Sequence, residues 1–65
     1  MLDNELYDLL VQIVEENKSL WRIQNMYLGD AQGCPECSAF WENMVEDKTQ
    51  HIIDLKELIK DHLNA

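Results

Sequence analysis

Cys34-Pro35-Glu36-Cys37 is the stretch of this 65-residue chain best equipped for chemistry. Two cysteines three residues apart can close a small disulfide, bind a metal or act as nucleophiles. If they open a helix, its dipole and unpaired N–H groups stabilise thiolates. Zinc needs four ligands, and this pair supplies two. His51 lies 14 residues beyond Cys37, about 21 Å along a helix at 1.5 Å per residue, so it cannot complete the set. A symmetric zinc site therefore needs Cys34 and Cys37 from a second copy. Cys-Pro-x-Cys also resembles the active-site turn of thioredoxin-like proteins, which implies thiol redox chemistry. That turn follows a strand, whereas the residues before Gly29 read as helix.

A second group of residues, Glu16, Asp47, Lys48 and His51, interrupts otherwise apolar helical seams. Buried charge is costly unless paired or bound to metal. Two outcomes follow. Glu16 and Lys48 can form a core ion pair that fixes register, with His51 beside it. Alternatively Glu16, Asp47 and His51 can hold a metal such as iron. Nothing resembles a Ser–His–Asp arrangement, a glycine-rich phosphate loop or a basic stripe. No motif names a reaction, and a non-enzymatic role is the expectation.

These side chains must be positioned by helices. Apolar residues recur at Leu6, Leu9, Ile13, Leu20, Ile23 and Tyr27, with a second stripe at Leu10, Val14, Trp21 and Leu28. The first helix is expected over about 4–28, with Asp3 as N-cap and Gly29 as its left-handed C-cap. A turn over 29–34 leads to a second helix over about 35–63. Pro35 suits a first helical position, and Glu36 suits the positive end of the dipole. Its apolar face reads Phe40, Met44, Leu55 and Leu58, flanked by Trp41, Val45, Ile52, Ile59 and Leu63. His62 is expected to be exposed.

Two helices of this length joined by so short a turn should fold back as an antiparallel hairpin. In that hairpin Glu16 is expected to face Asp47 and Lys48, with His51 one turn further along, near Gln12 and Ile13. The apolar stripes are wider than one helix pair can bury. The fold class is therefore all-α: an antiparallel helix hairpin that dimerises into a four-helix bundle. Leu10, Val14, Trp21, Trp41, Val45 and Ile52 are the expected dimer interface.

The net charge of −8 argues against nucleic acid and anionic membranes as partners. The partner expected is a second copy of the chain. The acidic N-terminal stretch lacks the basic lead and long apolar core of a secretory signal. With a lone Cys-x-x-Cys, that gives a cytoplasmic expectation.

Residues 13 to 60 resemble a ferritin-like or rubrerythrin-like half-bundle, of the short encapsulin-associated ferritin type. The resemblance lies in Tyr27-Leu-Gly-Asp-Ala and in Met44-Val-Glu-Asp-Lys-Thr-Gln-His51-Ile-Ile-Asp-Leu. Such families carry a Glu seven residues before a Tyr, and a Glu-x-x-His on the next helix. Tyr27 and His51 match. Leu20 and Lys48 stand where the family's two metal-binding glutamates stand. The resemblance implies a dimeric bundle whose metal centre is degraded or missing, with a fixed ammonium where the metal would lie.

Overall fold

The computed structural model describes residues 2–64. They form α1 (Asn4–Arg22), a π-helical turn (Ile23–Tyr27), the short α2 (Leu28–Asp30) and α3 (Pro35–Leu63). There is no strand among the described residues. No helix among them is long and apolar enough to cross a membrane.

Asp3 caps α1 as its sequence position suggests: its carboxylate accepts the Leu6 N–H at 2.8 Å. The first leg then continues past the expected stop. Gly29 lies inside α2 and is not the C-cap; the residue with positive φ is Gly33, at 89°. The extension begins in the π turn, where the Leu28 N–H donates to the Ile23 carbonyl. Inside that turn Asn25 Nδ2 donates to the Trp21 carbonyl at 2.9 Å, engaging a backbone acceptor of α1. The leg closes with Ala31 N–H to Tyr27 O at 3.0 Å and Gln32 N–H to Gly29 O at 3.3 Å. The first spans four residues as in an α-helix; the second, tighter by one residue, satisfies a carbonyl that would otherwise be orphaned at the helix end.

The two glycines should therefore respond oppositely to alanine. At Gly29 a Cβ meets nothing within 4 Å, and relief of helical glycine entropy should stabilise by about 0.5–1 kcal/mol. At Gly33 the left-handed backbone makes Gly33→Ala destabilising by about 1 kcal/mol or more. Urea unfolding of the two variants checks this. The reverse order would mean that Gly29, not Gly33, terminates the leg.

The contacts of α1 and the π turn with α3 pair off in opposite chain order. Glu5 meets His62, Glu16 meets Lys48 and His51, and Tyr27 packs on Trp41. Ser38 Oγ donates to the Ala31 carbonyl at 3.1 Å and ties the start of α3 to the turn. The seam of α1 is Leu6, Leu9, Ile13, Glu16 and Leu20, carried on by Ile23 and Tyr27 of the π turn, in alternating steps of three and four that keep one face turned inward. The α3 seam is Trp41, Val45, Lys48, Ile52, Leu55, Ile59 and His62, all half-buried.

That α3 seam is rotated from the expected one. Phe40 and Leu58, assigned to the face, are exposed. Lys48 belongs to the inward face, as its interruption of the seam suggests; His62 belongs to it too, and a face read from apolar residues misses it. The resulting core is thin. Leu6, Ile23 and Ala31 are its buried apolar residues, and Glu16 is buried with them. The whole measures 48 × 17 × 13 Å.

Candidate functional site: a buried ion pair and a cysteine-capped turn

Glu16 belongs to the inward seam by its spacing, so the fold carries its carboxylate into the interface. It is 8% exposed. Lys48 reaches it from α3, with Nζ 2.9 Å from Oε2. Gln12, one turn back on α1, donates Nε2–H to Oε1 at 3.1 Å. His51 Nδ1 lies 3.3 Å from the same oxygen. Burial pushes the Glu16 carboxyl up. Hydrogen bonds from Lys48 and Gln12, the charge of Lys48 and the His51 contact outweigh it and hold the group below its ordinary value of 4.5. Every buried side-chain polar atom among the described residues has a partner.

The expected layer is thus assembled differently. Glu16 sits between Lys48 and His51 rather than between Asp47 and Lys48. The longer first leg shifts the facing register toward later residues of α3. Asp47 is exposed and is not a partner of Glu16. Of Glu16, Asp47 and His51, the structure brings together Glu16 and His51. Among the described residues no three His, Cys, Asp or Glu side chains cluster to hold a metal. The donors present at this level are one carboxylate, one imidazole and one carboxamide, with an ammonium already on the carboxylate. That set does not fit a di-iron centre, which takes carboxylates and histidines from all its helices.

At the turn, Cys34 is the N-cap of α3 and Pro35 is its first residue. Cys34 is half-buried and Cys37 is exposed. The two are joined as a disulfide, with Cα atoms 5.3 Å apart. The Cys37 N–H donates to Cys34 Sγ at 3.3 Å, so sulfur fills the capping role usually given to a hydroxyl or carboxylate. In the disulfide neither sulfur is a thiolate, the form that binds zinc or attacks. A shallow cleft of about 250 Å³ lies beside Cys37, lined by Tyr27, Asp30, Ala31 and Trp41.

The residues expected at a dimer interface divide. Trp21 and Val14 are 58% and 52% exposed. Leu10, Val45 and Ile52 are half-buried. Trp41 is also half-buried, packed against Tyr27 with ring centroids 4.8 Å apart. His62, expected to be exposed, is half-buried and places Nε2 3.7 Å from Glu5 Oε2. That contact was legible only with the register, which composition does not give.

Compared with known proteins, the chain matches no family model, no curated sequence and no solved structure. A functional reading must therefore come from the chain's own surface and its buried pair.

Proposed function

We propose that this is a small interaction protein that works as a homodimer, two antiparallel hairpins closing a four-helix bundle of ferritin-like shape. The reading rests on α1 being apolar on two sides. One side forms the seam described above. The other carries Tyr7, Val11, Val14 and Trp21, all exposed among the described residues. A helix that is apolar beyond a single stripe belongs inside an assembly. Exposed apolar residues gathered on one helix face, here with Lys18 between Val14 and Trp21, mark an interaction site. A chain this short also gains most from a second copy, because alone it buries too little surface.

In this reading the ferritin-like metal centre is replaced by the Glu16–Lys48 pair, which holds the register of the hairpin. We place the protein in the cytoplasm, a reading that requires the Cys34–Cys37 disulfide to be reduced to thiols there. The alternatives are a metal protein, with iron at Glu16, Asp47 and His51 or zinc at the cysteine turns, and a thiol redox protein.

One preparation tests these together. Sedimentation of untagged protein at micromolar concentration should give twice the 7.7 kDa chain mass, and elemental analysis should give no stoichiometric metal. A folded monomer would overturn the homodimer. About one iron per chain, or half a zinc, would replace this reading with the metal one.

A further inference from the structure

A second seam runs along α3 beside the first: Glu42, Val45, Thr49, Ile52, Lys56, Ile59 and Leu63, again in steps of three and four. Two open clefts lie along it. One is lined by Ile13, Val14, Asn17, Lys18, Ile52 and Lys56. The other is bounded by Leu10, Ile59 and Leu63, with Lys56 and Lys60 on its rim. This is the face that continues onto the uncovered side of α1.

Its charge is distributed unevenly along the helix. Glu42 and Glu46 stand toward the cysteine turn, and Lys56 and Lys60 toward the opposite end. All four are exposed, and none has an ion-pair partner among the described residues. Their spacing is symmetric about position 51. Glu42 and Lys60 lie nine residues to either side of it, and Glu46 and Lys56 lie five.

We infer that the second copy docks on this face with its cysteine turn at the opposite end of the bundle, an inference that rests on the homodimer reading above. A two-fold axis crossing α3 at the level of His51 sets Glu42 against the partner subunit's Lys60 and Glu46 against the partner subunit's Lys56. Symmetry repeats both contacts. The other two-fold arrangement, turns together, has its axis along the bundle and brings neither Glu42 to Lys60 nor Glu46 to Lys56. Unlike charges across an interface select its orientation.

The α1 side agrees without using charge. Glu16 shares the level of His51, 3.3 Å away, so the axis crosses α1 near Glu16. Trp21 lies five residues after Glu16, and Val11 lies five before. Each indole therefore falls at the level of the partner subunit's Val11, a large apolar body against a smaller one. The two cysteine turns end up at opposite ends of a body whose long axis is 48 Å. They cannot share one zinc ion.

Zero-length carbodiimide coupling of an equimolar mixture of ¹⁴N- and ¹⁵N-labelled wild-type protein tests the docking. Glu42–Lys60 and Glu46–Lys56 amide cross-links of mixed isotope are expected. Within one chain, 18 residues of helix hold Glu42 and Lys60 apart by about 27 Å. In parallel, Lys56→Glu/Lys60→Glu should weaken the dimer about 10-fold or more at low ionic strength, with the effect fading as salt is added. Adding Glu42→Lys/Glu46→Lys to the same chain should restore it. Circular dichroism confirms that each variant remains helical. A wild-type dimer that lacks these cross-links and keeps its affinity in Lys56→Glu/Lys60→Glu overturns the docking and leaves the homodimer standing. A wild-type monomer removes both.

Discussion

Val14→Glu combined with Trp21→Glu is expected to leave the chain helical but monomeric at concentrations where the unmodified protein is a dimer. Both side chains are more than half exposed in the single chain. The monomer therefore loses little by their replacement, and glutamate is the better helix former at both places. In the dimer the same substitutions act twice, once from each copy. They remove apolar anchors worth about 2 kcal/mol each and push carboxylates into surface that must dry. The dimer dissociation constant should rise by more than about 100-fold. Sedimentation velocity across a dilution series reads this, with far-ultraviolet circular dichroism as the control for folding. Unchanged self-association would place any interface elsewhere and remove the support that the two-sided apolar character of α1 gives to the homodimer. Unfolding midpoints carry a second signature. A dimer's apparent stability rises with protein concentration, and that dependence should vanish in the double variant.

Features of the chain encoded by neighbouring residues were readable from sequence. Asp3 before the apolar pattern and Pro35 after Cys34 mark helix starts through local backbone chemistry, and both starts are where the structure has them. Glu16 and Lys48 could be named as a pair because each breaks an otherwise apolar seam. The errors arose where two helices had to be related to each other. Gly29 and Gly33 both suit a left-handed residue, and the choice depends on the π turn upstream, which no residue type announces. Extending the first leg changed the register, moved His51 onto Glu16 and left Asp47 in solvent. The rotation of the α3 seam has the same origin. His62 faces inward beside Glu5 of α1, a fact about the other helix. The cysteine cap lay between these cases. Its position was clear, while the bond from the Cys37 N–H to Cys34 Sγ required coordinates.

The Glu16–Lys48 pair yields a larger effect when broken than when deleted. Lys48→Met should destabilise the protein by about 2 kcal/mol at neutral pH, because a carboxylate that is 8% exposed loses its cation and keeps only Gln12 and His51. The figure lies below the roughly 3–5 kcal/mol of a fully enclosed pair, since the Lys48 side chain retains 16% of its exposure. Glu16→Leu should cost less, because the long lysine can turn its ammonium to water. The double variant Glu16→Leu/Lys48→Met continues the apolar seam of both helices and should come within about 1 kcal/mol of the original, or exceed it. Acid provides an independent check on the same group. The folded-state value of Glu16 lies below its unfolded value of 4.5. Its contribution is therefore fully present above 4.5 and is lost as the pH falls through the lower, folded value. Glu16→Gln removes that titration, so the stability difference between the original and this variant should shrink in that window and stay constant above it. Urea titrations at fixed protein concentration, repeated across the acid range, measure both effects. If Lys48→Met proved neutral and the Glu16→Gln difference were flat with pH, the pair would be a solvated surface contact. The register of the two helices would then depend on the apolar residues alone, and the inward spacing of Glu16 and Lys48 would have no energetic consequence.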